Sequence, residues 1–153
     1  MPKCYQLVGI PGSGKSTWVS NQDWVKDCAI VSTDMWVALE AERVSKTYSE
    51  IFNEYMPHAV KLMANHVELA RDKNMDIIWD QTSTTVASRE RKFRMLPDYE
   101  HIAIVFSTPN LDILNERLSG RPGKEVPWEV VQGMIDNFEM PTEEEGFKEI
   151  WRV

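Results

Sequence analysis

The apolar run Tyr5-Gln6-Leu7-Val8 leads directly into Gly9-Ile10-Pro11-Gly12-Ser13-Gly14-Lys15-Ser16-Thr17. That spacing is GxxxxGKS, and between a strand and a helix it forms the loop that cradles the phosphates of a nucleoside triphosphate. Each position has a mechanical reason. Gly9, Gly12 and Gly14 allow backbone angles that side-chain-bearing residues resist, so the successive N–H groups of Gly12, Ser13 and Gly14 can point at phosphate oxygens, with Pro11 lining the same loop without a donor of its own. The helix that follows begins near Lys15 and adds the positive end of its dipole. Lys15 is expected to reach the β- and γ-phosphates, Ser16 to ligate magnesium and Thr17 to add a phosphate contact. ATP and Mg2+ are therefore the expected cofactors, and phosphoryl transfer the expected chemistry. The competing reading is a glycine-rich turn with an incidental lysine.

The alternation of elements agrees with such a loop. Cys4 to Gly9, Ala29 to Thr33, Asp76 to Asp80 and His101 to Ser107 read as strands, separated by helical patterns. This predicts an α/β fold, a parallel sheet with helices on both faces. Tyr48 to Asn74 carries apolar residues at Ile51, Phe52, Tyr55, Met56, Val60, Met63, Val67 and Leu69, a spacing that predicts one long helix with a kink at Pro57. Its methionines and aromatics are expected in the core. Thr85 to Met95 reads as a helix whose exposed side is made basic by Arg89, Arg91, Lys92 and Arg94. That side is a solvated face or, through Arg89, a contact to an acceptor phosphate. Leu111 to Leu118 and Trp128 to Phe138 are two further helices. Between them Ser119 to Pro127 holds two glycines, two prolines and charged residues, the mark of a mobile loop. Lys148 to Arg152 reads as a last edge strand.

At 153 residues the chain is expected to form one domain, residues 1–153, with a lid at about 117–127. A net charge of −7 gives no general basic field. This disfavours long nucleic-acid ligands and suits a short or small acceptor. Cys4 and Cys28 are too few for a disulfide framework and lack metal-ligand spacing, so a reducing, cytoplasmic setting is expected. No apolar stretch approaches the ~20 residues of a membrane span, and no signal peptide precedes the first strand. His58, His66 and His101 are scattered and read as structural or surface groups.

Ligands of open parallel sheets bind beyond the carboxyl ends of the strands, which draws attention to Asp34 and Asp80. A kinase acting on a hydroxyl needs a carboxylate to orient it and accept its proton, and Asp34 is the candidate. Its alternative is to cap the helix from Met35 onward. Asp80 stands where an acid would hold a magnesium-bound water near Ser16; alternatively, with Thr82, it caps or supports the loop. Charge spreading over the equatorial phosphate oxygens calls for a cation that closes over them. Arg117 and Arg121, four apart across a helix end and the Gly/Pro-rich loop, meet that need. Trp36 stacks on a base or belongs to the core.

Taken in order, GIPGSGKSTW at Gly9 to Trp18, Ser32-Thr33-Asp34, Asp80-Gln81-Thr82-Ser83 with Arg89-Glu90-Arg91, Leu114-Asn115-Glu116-Arg117, Gly120-Arg121 with Val126-Pro127, and the ending Phe138 to Phe147 are similar to one known set. The chain resembles the kinase domain of phage polynucleotide 5′-kinase and the wider zeta-toxin-like, AAA_33-type family of small P-loop kinases. The resemblance implies an adenylate-kinase-like three-layer α/β/α P-loop NTPase fold with four or five parallel strands and a partly helical lid. It implies Asp34 as general base, Lys15 and Ser16 as nucleotide and magnesium residues, and Arg117 and Arg121 as lid cations. The acceptor it implies is the 5′-hydroxyl of a DNA or RNA end, or else a nucleotide, modified base or small metabolite, with Trp36, Thr82 and Arg89 as substrate-side candidates. Arginines flank the aspartate in the phage enzyme; here its neighbours are Thr33, Met35, Trp36 and Val37. From a different class, a nucleotide-dependent switch would carry the same loop without an acceptor.

Overall fold

The computed structural model describes residues 1–153. Its elements run β1 (Lys3–Val8), α1 (Lys15–Ser20), a short 3-10 helix (Asp23–Asp27), β2 (Ala29–Val31), α2 (Asp34–Arg43), α3 (Tyr48–Asp72), β3 (Ile77–Trp79), α4 (Val86–Met95), β4 (Glu100–Val105), α5 (Leu111–Ser119), α6 (Trp128–Asp136), a 3-10 turn (Glu143–Glu145) and β5 (Phe147–Arg152). All strand pairs are parallel, and the five strands are ordered β2-β3-β1-β4-β5. The fold is a three-layer α/β/α sandwich.

Strand β1 lies at the centre, which explains its near-continuous apolar character: a parallel strand covered on both faces has no polar side to show. Tyr5 and Leu7 point to one face, where they meet Val19 of α1, Val25, Ile78, Ile102, Ile104 and Phe106. Cys4 points to the other, where Met63, Val67 and Ala70 of α3 close over Val31, Ile77 and Trp79. Helix α3 starts from a capping box, Thr47 with Glu50, and continues through Pro57. Only part of its expected inward stripe is inward. Ile51, Ala59, Met63, Val67 and Ala70 are buried, whereas Phe52, Val60 and Leu69 are exposed, because the sheet and α2 cover a narrower face than the apolar pattern spans.

The basic side of α4 needs a larger correction. Arg89 and Lys92 were expected on an exposed face, yet Arg89 is 0% exposed and Lys92 4%. Arg89 donates from Nε and Nη2 to the two carboxylate oxygens of Glu145, at 2.9 and 3.1 Å, and from Nη1 to the Ser83 carbonyl at 2.9 Å. A bidentate pair of this kind is what lets a guanidinium be buried. Arg89 therefore ties α4 to the acidic tail and is not free to bind an acceptor phosphate.

Lys92 has no carboxylate partner among its contacts. Its ammonium donates to the Ser88 carbonyl at 3.0 Å and lies 5.4 Å from the Trp79 ring. Burial, with the charge of Arg91 adding to it, pushes its amine down to about 8. The unfolded lysine keeps its proton up to about 10.5, so between these values the unfolded chain binds more protons and stability rises with pH; below about 8 the full penalty applies. Lys92→Met is thus expected to be more stable than wild type at pH 7, by up to roughly 3 kcal/mol, with the advantage shrinking toward pH 10. Urea unfolding of both proteins at pH 7, 8.5 and 10 checks this, and an advantage that grows with pH would overturn it.

His101 is structural, as expected. Its Nδ1 lies 3.0 Å from Gln6 Nε2 and its Nε2 2.9 Å from the Leu96 carbonyl, so the amide donates to one ring nitrogen and the other donates to the carbonyl. No helix is long and apolar enough to cross a membrane.

Candidate active site

Beyond the carboxyl ends of β1, β2 and β3 lies a cleft of about 1260 Å3. Its floor is the glycine-rich loop, and every residue from Pro11 to Thr17 lines it. Gly12 and Gly14 take left-handed backbone angles, φ 82° and 96°, which favour glycine. Gly9 does not, contrary to expectation. Its requirement is space: a Cβ there would lie 2.5 Å from Ser13 Oγ and 3.0 Å from Phe106 Cβ. The Gly9 N–H donates to the Thr82 carbonyl at 2.9 Å, which fixes the entrance of the loop to the segment after β3.

Lys15 Nζ donates to the carbonyls of Gly9 and Ile10, at 2.8 and 2.9 Å, so the ammonium is folded over the loop. Ser16 and Thr17 are exposed in the first turn of α1. Ser13 Oγ is buried without a hydrogen-bond partner. An orphaned donor in a loop that lines the cleft fits a loop built to receive an anion's oxygens. Arg117 reaches back from α5, and its Nη1 donates to the Gly12 carbonyl at 2.9 Å. Arg121 lines the same cleft from the loop after α5.

Strands β2 and β3 end two residues and one residue short of the expected boundaries, at Val31 and Trp79, and the released residues turn into the cleft. Thr33, Asp34, Asp80, Gln81 and Thr82 all line it. Asp34 opens α2 but does not cap it. Thr33 holds the N-cap position without a side-chain bond, and the Met35 N–H of the first turn donates to Ser32 Oγ at 3.1 Å. The Asp34 carboxylate accepts instead from the Tyr48 hydroxyl and, at 3.0 Å, from Lys124 Nζ.

Two substrate-side candidates are absent from the cleft. Arg89 is buried against Glu145, as described. Trp36 is half-buried, wedged between the α3 core and the α2 core, with its ring edge-on to His66 at 6.3 Å. It belongs to the packing and is not placed to stack on a base. Conversely, Tyr48, Phe52, Asn53 and Met56 of α3 and Lys124 line the cleft and were missed. Phe52 and Met56 had been counted as core on spacing alone. Nothing in the sequence indicates that the first turns of α3 face the glycine-rich loop.

A family model described as an AAA domain, AAA_33, matches residues 6–141. The chain belongs to this family. Among solved structures, a putative kinase from Chloroflexus aurantiacus J-10-fl is 15% identical, covers 99% of this chain and 84% of that chain, and superposes with a TM-score of 0.71. A structure from the PezAT chromosomal toxin-antitoxin system of Streptococcus pneumoniae is 19% identical over 99% of this chain and 69% of that one, with a TM-score of 0.66. A chain of a Pnkp1/Rnl/Hen1 complex is 21% identical, with a TM-score of 0.57, over 83% of this chain but 41% of the other. At such identities the likeness is one of fold.

The charges in this AAA_33 domain influence one another across the cleft. Burial pushes the Lys15 amine down to about 8, with Arg121 adding to the push and Asp80 opposing it. Burial pushes the Asp80 carboxyl up, as does Asp34, while Lys15 restrains it. For Asp34, burial also pushes upward, but the hydrogen bond from Tyr48 and the charge of Lys124 outweigh it, and the carboxyl lies below its ordinary value. Two carboxylates of the same site are thus driven in opposite directions, Asp34 toward the ionised form and Asp80 away from it. No group of three or more His, Cys, Asp or Glu side chains is placed to hold a metal. Ser16 and Asp80 both line the cleft, and a cation held by them would meet one hydroxyl and one carboxyl group, a sparse oxygen set. That fits magnesium, which keeps several waters and shares phosphate oxygens, better than it fits a metal caged by protein.

Proposed function

We propose that this AAA_33 chain is an ATP-dependent kinase that transfers the γ-phosphate to a hydroxyl, with the 5′-hydroxyl of a DNA or RNA end as the leading acceptor. The observation that carries the reading is the convergence in one cleft of the glycine-rich loop with Lys15, the ionised Asp34, Asp80 and the two arginines Arg117 and Arg121. A switch that only binds nucleotide has no need of a carboxylate at the end of β2.

The loop N–H groups and Lys15 would bind the β- and γ-phosphates, while Arg117, braced on the Gly12 carbonyl, and Arg121 would meet the charge that builds on the equatorial oxygens. Ser16 and Asp80 would hold Mg2+, which when bound supplies charge neutralisation at the phosphates. Asp34 would accept the proton of the acceptor hydroxyl as its oxygen forms the new bond to phosphorus. The bond from phosphorus to the bridging oxygen breaks, and its electron pair leaves with ADP. The loop 117–127 would act as the lid that excludes water.

A second reading has a specific observation behind it. The acceptor side of the cleft is lined by Tyr48, Phe52, Asn53 and Met56, and the one basic group touching Asp34 there is Lys124. With Arg89 buried, this suits a single nucleoside-like or small metabolite acceptor better than a long phosphate backbone. One experiment separates the readings: γ-labelled ATP and magnesium with 5′-hydroxyl DNA, 5′-hydroxyl RNA, a nucleoside panel and no acceptor. Label on the oligonucleotides supports the first reading, label on nucleosides alone moves the function to the second, and label only in free phosphate would discard the kinase.

A further inference from the structure

The sequence points to Arg117 in the last turn of α5 and Arg121 in the loop after it as the lid cations, but the side chain that reaches Asp34 is Lys124. We propose that Lys124 is a positioning residue that couples docking of the lid to presentation of Asp34 toward the acceptor hydroxyl. The inference rests on the reading of Asp34 as the base.

The geometry is a closed cluster. Lys124 Nζ lies 3.0 Å from Asp34 Oδ2 and 4.6 Å from the centroid of the Tyr48 ring, and the Tyr48 hydroxyl donates to Asp34 Oδ1. The backbone on both sides of Lys124 is fastened to the start of α3. The Ser49 N–H donates to the Gly123 carbonyl at 3.0 Å, and the Glu125 N–H donates to Ser49 Oγ at 2.7 Å. Gly123 adopts φ 72°, and a Cβ there would come within 3.0 Å of Thr47 Cβ, so the segment seats closely on the turn that caps α3. Lys124 therefore reaches Asp34 only when this seat is made.

The consequence follows from the capacity of a carboxylate. Each Asp34 oxygen accepts one bond from Tyr48 or Lys124 and retains a second lone pair, enough for one acceptor hydroxyl. The groups influencing the carboxylate are Lys15 from α1, Tyr48 from α3 and Lys124 from the loop. Of these, Lys124 alone belongs to the segment that would move. With the seat undone, Asp34 loses one of its two tethers and its side chain, 57% exposed, can leave the rotamer that faces the cleft. The base is then held in position only while this segment is seated on the start of α3, which ties presentation of Asp34 to docking of the lid.

Two readouts test this, and the first needs no acceptor. In amide hydrogen exchange, Lys124→Met and Asp34→Asn should each speed exchange at Ser49 and Glu125 by about 3- to 10-fold, the double variant should be no faster than either single, and Lys124→Arg should recover much of the protection. In turnover with γ-labelled ATP and a 5′-hydroxyl oligonucleotide, Lys124→Met should lose roughly 10- to 100-fold in kcat with ATP affinity unchanged. Unchanged exchange in Lys124→Met, or effects that add in the double variant, would overturn the coupling. An inactive Asp34→Asn beside a fully active Lys124→Met would sink this inference and leave the base standing. An active Asp34→Asn would remove the base itself, whatever the exchange data show.

Discussion

Arg121→Ala is expected to bind ATP with unchanged affinity and to lose phosphoryl transfer by roughly 10³- to 10⁵-fold. The reason is timing. Ground-state phosphates already have the loop N–H groups and Lys15, whereas charge on the equatorial oxygens grows as the bond to the leaving oxygen breaks, and a cation on a closing segment meets it only then. Arg121 lies on the right segment and faces the cleft, close enough for its charge to help push the Lys15 amine down. Equilibrium binding of ATP and single-turnover transfer to the active acceptor, measured on one preparation, check the split. Turnover equal to wild type would remove Arg121 from the catalytic set, and lost ATP binding would reassign it to the ground state.

Asp34→Asn is expected to spare ATP binding and lower turnover by about 10²- to 10⁴-fold, the usual range for a general base. The substitution keeps the shape and one hydrogen-bond acceptor for Tyr48 or Lys124, but the amide cannot take a proton. The fold should tolerate it, since the Met35 N–H at the start of α2 bonds to Ser32 and not to Asp34, and the Asp34–Lys124 pair is partly exposed. Thermal unfolding of the variant within a few degrees of wild type would establish that the lost activity is chemical. Weakened ATP affinity with unchanged turnover would reassign Asp34 to nucleotide binding.

The parts of the fold that could be read from the sequence are those whose cause is local. Tyr5 to Val8 followed by the glycine-rich loop specifies a buried strand and its helix because each residue's role depends on its immediate neighbours. The four expected strands and the edge strand at the tail all occur, within two residues of their expected limits. What could not be read depends on residues brought from a distance. Arg89 looks like a surface arginine until Glu145, 56 positions later, supplies its counter-charge. Phe52 and Ile51 are both apolar and adjacent, yet one lines the cleft and the other is buried in the core, a difference that depends on where α2 and the sheet lie. Tyr48 and Lys124 were invisible for the same reason. Their link to Asp34 spans 14 and 90 positions, and a tyrosine at a helix start or a lysine in a Gly/Pro-rich loop carries no mark of it.

The place of β1 in the sheet also sets an order of assembly. Its two neighbours are β3 and β4, so Cys4 pairs with Ile77 on one side and His101 on the other. The strand that carries the glycine-rich loop precedes both of its partners in the chain and is completed late, since its second edge is closed only when residues 100–105 have emerged. Until then Tyr5 and Leu7 lack Ile102 and Ile104 as partners, and the loop has no rigid strand behind it. Non-local pairing of this kind is slow to form. Nucleotide affinity should consequently be among the last properties this domain acquires as it is translated, appearing only once residues 100–105 are available and the central strand is closed on both edges.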